Sequence, residues 1–303
     1  MSQGKAHFTQ AIAPTLQKDW DIRGTGNFVF GGTGTGFLLA LAVASFFGIS
    51  PQWMTLLALG FIGFGLLCVM AKIGRPLRAI NVMFNPQTSW MSREAMAAGP
   101  VFLLGLVTVF IGGVPAAIIA ALAGLGFLYC QGMILVASKG IPAWRAPEVL
   151  PLFITTGIVE GIGLLMVAGP LFVGFDAISL AQPVLFALCL IAIASRVFAW
   201  RRYRKALQET GAPTGTLTAL GEAESIVTVA GHILPVALLG LAAYVPETTI
   251  WALPVAGLLA GLVGWYLKFV IINKAAFNQG FAIPHTPARG GGKAGPGDKP
   301  GWT

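Results

Sequence analysis

The polar segment at residues 72–94 holds the side chains best suited to chemistry, and it lies between two long apolar runs. Its ionisable residues are four cations and one carboxylate: Lys72, Arg75, Arg78, Arg93 and Glu94. The helix dipole alone favours a carboxylate in the first turn of a helix, so Glu94 by itself needs no functional explanation. The cations around it form a charged cluster where the chain leaves and re-enters an apolar phase. Such a cluster could meet a polar ligand or a soluble partner.

The same segment has the residue types that a membrane quinone site requires. A quinone ring needs a hydrogen-bond partner and a route for protons at the membrane surface, beside apolar walls for the ring and tail. Glu94 and its neighbouring cations meet the polar requirement, and the flanking apolar runs meet the other. On residue types alone the segment suggests such a site without specifying it.

A second carboxylate, Glu160, lies in the middle of another apolar run, between Gly157 and Gly161. Ionisable groups inside a membrane are costly and mark functional sites by default. The alternative is a protonated Glu160 that hydrogen-bonds to a neighbouring helix, and the sequence leaves both open. Gln131 in another run is interpreted as a packing hydrogen bond.

Histidines and cysteines argue against a metal centre in this chain. Of the three histidines, His7 and His285 lie in polar tails and only His232 lies in an apolar run. One histidine cannot provide the two axial ligands of a membrane cytochrome b haem, so His232 is predicted to be a hydrogen-bonded packing residue. The three cysteines lie singly in apolar runs and lack metal-site spacing. They are Cys68, Cys130 and Cys189.

The elements that position these residues are predicted to be membrane helices. Hydrophobic residues make up 56% of the chain and charged residues 10%, and the mean hydropathy is +0.79. A spanning helix needs about 20 apolar residues. Eight such runs are present, at 27–47, 53–73, 95–114, 115–137, 150–173, 180–198, 225–245 and 250–272. We therefore predict an all-α polytopic membrane protein with eight transmembrane helices in one bundle.

The distribution of positive charge predicts the orientation of that bundle. All 19 Lys and Arg residues fall in five segments that eight spans place on one side, and the four opposite loops hold none. By the positive-inside rule, both termini are cytoplasmic and the protein lies in the inner membrane. The predicted organisation is a cytoplasmic segment at 1–26, a membrane domain at 27–276 and a Pro/Gly-rich cytoplasmic tail at 277–303. The glycine run at 31–36 opens the first span, where small residues let helix backbones approach closely.

The 72–94 segment also resembles a known family. Two motifs carry the likeness: Gly74-x-Pro76-x-Arg78-Ala79, and Ser89-Trp90-x-Ser92-Arg93-Glu94. They resemble the membrane-anchor subunits of dimethyl sulfoxide reductase-type molybdoenzymes, and the span count and early glycine run fit that family. The resemblance implies an anchor without haem or metal that holds a four-cluster iron–sulfur subunit and a molybdopterin (Mo or W) catalytic subunit. It also implies electron exchange with menaquinone or ubiquinone, and no nucleic-acid partner.

The resemblance assigns roles to particular residues. Glu94 matches the glutamate implicated in quinone binding, and Lys72 stands where the sulfoxide-reductase anchor has a histidine. The predicted quinone-binding set is Glu94, Lys72, Arg93, Arg78 and Trp90. The predicted partner-docking set is Arg75, Arg78, Lys139 and Arg145. The tail sequences NQGFAIPHTPARG and KPGW resemble a subgroup associated with phenylacetyl-CoA:acceptor oxidoreductase.

Two other function classes stay open at this point. One is a secondary transporter that uses Glu160 as its coupling group, although the sequence has no convincing internal repeat. The other is a purely structural anchor with a degenerate quinone site.

Overall fold

The computed structural model describes residues 13–73, 81–281, 283–286 and 295–298. Within them, eight helical segments are long and apolar enough to cross a membrane. They are α1 (Ile22–Ser45), α2 (Gln52–Lys72), α3 (Trp90–Ile111), α4 (Val114–Val136), α5 (Val149–Phe175), α6 (Gln182–Glu209), α7 (Thr214–Tyr244) and α8 (Pro246–Lys274). The chain is a multi-pass membrane protein of the all-α class, and the predicted eight-helix architecture is confirmed.

Glycines separate helices that hydropathy alone would merge. Gly112 and Gly113 end α3 with φ of 72° and 83°, and α4 begins beside Pro115. The break between α5 and α6 falls at Gly174, whose φ is 79°. Positive φ carries little steric penalty for glycine alone, so these positions turn the chain where other residues would continue the helix. The predicted division of residues 95–137 is confirmed.

α1 is the most buried of the eight helices and packs against α2, α4 and α5. Its glycines permit this central position. A Cβ atom at Gly34 would lie 2.6 Å from the Ala58 carbonyl oxygen of α2, and one at Gly36 would overlap the Gly157 carbonyl of α5. The interpretation of the glycine run as a close-packing surface therefore holds at these two positions.

Two helices extend well beyond their apolar runs. α6 continues to Glu209 and α7 begins at Thr214, and Arg204 and Glu224 form an ion pair between the two extensions. Two cations that charge counting placed in polar segments are instead buried within helices. Arg196 of α6 and Lys268 of α8 are at most 1% exposed. Arg201, Arg202, Arg204 and Lys205, which the sequence assigned to a loop, lie in the extension of α6.

Several polar segments meet at one end of the bundle. The Gln17 amide donates to the Ala276 carbonyl (3.0 Å), and the Gln279 amide donates to the Gly140 carbonyl (2.8 Å). A short helix, Pro142–Arg145, is held there because the Trp144 indole donates to the Ile271 carbonyl (3.0 Å). Beyond α8, strands β1 (Ile283–Thr286) and β2 (Gly295–Asp298) form an antiparallel pair. The sequence did not predict this hairpin.

Candidate functional site

An apolar cleft of about 290 Å³ lies between the end of α2, residues 82–83 and the start of α3. Its walls are aliphatic and methionine side chains, among them Leu66, Val69, Met70, Met83, Met91 and Ala98. Glu94 is the only ionisable residue on the walls among the residues that the structure describes. The cleft therefore combines an apolar surface with one carboxylate, next to the segment that the sequence singled out.

Glu94 is held in this cleft by polar side chains from two other helices. Ser89 caps the N-terminus of α3, which places Glu94 one turn inside the helix, where it is 5% exposed. The side-chain amide of Asn27 in α1 donates to Glu94 Oε1 (2.7 Å), and the side-chain amide of Gln131 in α4 donates to the backbone carbonyl of Asn27 (2.9 Å). Asn27 Oδ1 and Gln131 Oε1 are buried without a partner among the residues that the structure describes. This arrangement fixes a carboxyl group at the edge of an apolar space.

Arg93 and Trp90 brace the segment before α3 rather than line the cleft. Arg93 Nε donates to the Pro86 carbonyl (2.7 Å), and its guanidinium lies 4.1 Å above the Trp90 ring. The Trp90 ring in turn contacts Tyr129 of α4, with 5.7 Å between ring centroids. The predicted site residues Arg93 and Trp90 therefore hold the chain segment that covers the cleft.

Lys72 belongs to a surface charge cluster at the start of α1. Its Nζ lies 3.8 Å from Asp21 Oδ2, and Arg23 Nη2 lies 2.7 Å from the same oxygen. The hydrogen bond from Arg23 is the main cause that lowers the Asp21 pKa to about 2, with smaller contributions from the charges of Lys72 and Arg23. Asp21 therefore stays ionised near neutral pH. Lys72 is near the cleft in sequence but is not one of its wall residues.

The predicted docking residues have different environments. Arg75 and Arg78 lie outside the described residues. Lys139 is exposed, whereas Arg145 donates to the Lys139 carbonyl (3.0 Å) and hydrogen-bonds the Gln279 side chain. Arg145 therefore ties the α4–α5 connection to the segment after α8, and Lys139 remains available to a partner.

Glu160 has a partner that sequence analysis missed. Lys268 Nζ of α8 lies 2.7 Å from Glu160 Oε2 of α5, and both side chains are at most 1% exposed. Thr33 of α1 donates to the same oxygen (2.9 Å), and Lys268 also donates to the Phe28 carbonyl (2.9 Å). Charge counting assigned Lys268 to the C-terminal segment, although its position within the apolar run 250–272 was a signal that it lies in the bundle.

A third buried charge, Arg196, lies in the same region. Its guanidinium donates to the Ala260 carbonyl (2.9 Å), to the Gly231 carbonyl (2.5 Å) and to His232 Nε2 (3.2 Å). A π-helical segment of α7, Val229–Ile233, supplies Gly231 and His232; such bulges recur at functional sites. His232 is a hydrogen-bonded residue, as the sequence predicted. All three acceptors of Arg196 are neutral groups.

The sequence matches no protein-family model and no curated protein. The candidate site has two components, the Glu94 cleft near one end of the bundle and the buried charges around Glu160.

Proposed function

We propose that this chain is the membrane-anchor subunit of a molybdopterin and iron–sulfur oxidoreductase complex and that it exchanges electrons with membrane quinone. In this proposal the anchor carries no haem or metal of its own. It holds a four-cluster iron–sulfur subunit, which in turn binds the molybdopterin (Mo or W) subunit. The likeness of residues 74–94 to such anchors supports the proposal, and so does the eight-helix membrane fold. The tail resemblance suggests phenylacetyl-CoA as the substrate of the complex.

The observation that carries the proposal is the position of Glu94 in the apolar cleft. A quinone ring and the start of its tail suit walls of leucine, valine and methionine. Glu94 can accept a hydrogen bond from a quinol hydroxyl or donate one to a quinone carbonyl, according to its protonation state. The Asn27 amide fixes the carboxyl group by a 2.7 Å hydrogen bond, so the group is oriented before a ligand arrives.

Protons and electrons would reach this cleft by different routes. Glu94 would exchange protons with the ring, while the partner clusters supply or remove electrons across a short tunnelling distance. The partner would dock at the end of the bundle where Lys139 is exposed, together with Arg75 and Arg78 of the neighbouring segment. The direction of electron flow depends on the partner subunits, because the same parts serve quinone reduction and quinol oxidation.

Exchange of Glu94 for Gln tests the proposal in the assembled complex. Glutamine keeps the size of the side chain and its hydrogen bond from Asn27 but cannot exchange a proton. We expect the complex to assemble normally and its quinone-dependent turnover to fall about 100-fold or more, the range typical of a lost acid–base group. Activity with an artificial dye that takes electrons directly from the iron–sulfur subunit should persist.

Glu148→Gln is the matched control, because Glu148 lies at the start of α5 and lines a separate cleft with Arg202. Its turnover with quinone should stay at the wild-type rate. Normal quinone kinetics in Glu94→Gln would reject the Glu94 site and make Lys72 the next candidate. A purely structural anchor would instead give no quinone-dependent turnover even in the wild-type complex. A transporter that uses Glu160 would instead retain quinone-independent transport in Glu94→Gln.

A further inference from the structure

Two buried polar clusters meet on α1. The Glu94 cluster consists of Glu94, Asn27 and Gln131, and the Glu160 cluster consists of Glu160, Lys268 and Thr33. The backbone carbonyl of Asn27 accepts a hydrogen bond from the Gln131 side chain (2.9 Å). The backbone carbonyl of the next residue, Phe28, accepts one from the Lys268 side chain (2.9 Å). The ends of the Gln131 and Lys268 side chains therefore lie beside adjacent carbonyl groups of one helix.

Glycines of α1 leave room for these two side chains. A Cβ atom at Gly31 would overlap the Gln131 amide, and one at Gly32 would overlap the Lys268 ammonium group. These positions differ from Gly34 and Gly36, which face the backbones of other helices. The first half of the glycine run therefore accommodates polar side chains, and only the second half serves close helix packing.

Among the described residues, four buried oxygen atoms of the two clusters and of the adjacent Thr156 have no hydrogen-bond partner. They are Asn27 Oδ1, Gln131 Oε1, Thr156 Oγ1 and Glu160 Oε1. Glu160 Oε1 and Thr156 both lie beside Gly264 of α8. Buried polar atoms are normally satisfied by protein groups or by bound water, and water between the helices would satisfy these four.

The two clusters lie at different depths in the membrane. Glu94 is four residues into α3, whereas Glu160 is eleven residues into α5. At 1.5 Å per residue these offsets correspond to about 6 Å and about 16 Å, and the second is roughly half of the apolar thickness of a bilayer. The polar groups thus extend from near one end of the bundle to about its midplane.

The charges around Glu160 favour exchange of a proton at Lys268. Arg196 donates to the Ala260 carbonyl of α8, one helical turn from Gly264, which lies beside Glu160 Oε1. The neutral groups that face these charges include Thr33, Cys189 and His232. With Lys268 protonated, the two cations and one carboxylate carry a net positive charge in a medium that penalises it. With Lys268 as a neutral amine, Arg196 and Glu160 balance each other. Arg196 itself stays protonated in proteins.

We infer that bound water connects Glu94 to Lys268 and that one proton passes between them. The Glu94 carboxyl group loses the proton and becomes a carboxylate, while the Lys268 amine gains it and becomes an ammonium group, which Glu160 stabilises. No electron moves in this step. The inference rests on the proposed function only in that a quinol at Glu94 would supply the proton.

The protonation state of Lys268 can be measured directly by nitrogen NMR of the ¹⁵N-lysine-labelled chain in lipid nanodiscs, without quinone. Lys268→Met assigns the signal. We expect the wild-type Lys268 signal to change between amine and ammonium within the pH range in which the chain stays folded. Arg196→Met should hold it as ammonium, whereas Arg196→Lys, which keeps the charge, should restore the change. A Lys268 that remains ammonium throughout in the folded wild type would overturn the inference.

The connection to Glu94 is tested by the rate at which Lys268 responds to a pH jump. Glu94→Gln should slow this response about tenfold or more, since proton transfer by a positioned group typically contributes at least that much. Thr108→Val is the control, because the Thr108 hydroxyl donates within its own helix to the Leu104 carbonyl (3.0 Å). An unchanged rate in Glu94→Gln would overturn the path. The pH-jump measurement contains no quinone. Its result is therefore independent of the quinone-turnover assay that tests the proposed function.

Discussion

At the scale of single residues, the buried side chains of this protein work in pairs that couple distant parts of the chain. Glu160 and Lys268 are 108 residues apart in sequence and 2.7 Å apart in space. Glu94 and Asn27 are 67 residues apart and joined by a 2.7 Å hydrogen bond. Each partner would be costly to bury alone. Loss of either hydrogen-bonding group therefore leaves its partner as a buried, unsatisfied polar group.

Single and double substitutions of the Glu160–Lys268 pair test this dependence. Lys268→Met should destabilise the folded chain by about 1–3 kcal/mol, because it removes a hydrogen-bond donor from the buried Glu160 Oε2 and from the Phe28 carbonyl. Glu160→Gln combined with Lys268→Met should recover most of that loss. Thermal unfolding in a mild detergent measures both effects.

Lys205→Met is the matched control for this comparison. Lys205 pairs with Glu209 at 3.6 Å, with both side chains more than half exposed, and exposed pairs contribute little to stability. A double variant no more stable than Lys268→Met alone would show that the pair does more than neutralise charge.

At the scale of helices, the packing of α1 depends on how closely backbones can approach. Gly36 contacts the backbone of α5 at Gly157 and Gly161, and no side chain fits between them. The helix termini are less constrained. α6 and α7 extend past their apolar runs, and the Arg204–Glu224 ion pair joins the two extensions.

Gly36→Ala should therefore destabilise the protein, although alanine is the better helix former. The added methyl group must push α1 from α5, and overpacking of this kind costs about 1–3 kcal/mol. Gly126→Ala on α4 is the control, since a Cβ atom there meets nothing within 4 Å. That variant should be as stable as the wild type or more so. Thermal unfolding of the two variants side by side checks the difference, and equal stability would contradict the close packing.

At the scale of the whole molecule, the arrangement of charge predicts which way the bundle faces. Arg196 and Lys268 belong to the interior, so the prediction rests on the other Lys and Arg residues of the sequence. The segments before α1, between α4 and α5, and after α8 contact one another at one end of the bundle. The positive-inside rule predicts that this end faces the cytoplasm.

Reporter fusions at Ser2 and Thr303 test this orientation. Both reporters should give a cytoplasmic signal, because eight spans return the chain to the side on which it began. A fusion at 246–248 serves as the control. These residues begin α8 at the end of the bundle opposite to both termini, so this fusion should give the other signal. A periplasmic signal from either terminus would reject the orientation.

The sequence by itself determined the membrane class, the number of spans and the breaks between them. Each of these follows from local composition: a run of about 20 apolar residues suits a bilayer, and glycines at 112 and 113 permit a turn. The sequence also identified Glu94 and Glu160 as candidate functional residues, because a carboxylate in or beside an apolar run is unusual.

Only the tertiary structure decided which residues these carboxylates meet. Hydropathy does not fix how each helix is rotated about its axis, so it could not place Asn27 at Glu94 or Lys268 at Glu160. For the same reason the sequence grouped Lys72, Arg93 and Trp90 with Glu94, whereas the structure places these three outside the cleft walls. Residues that are close in sequence lie in the same part of the fold, but the packing of several helices determines whether their side chains face the same cleft.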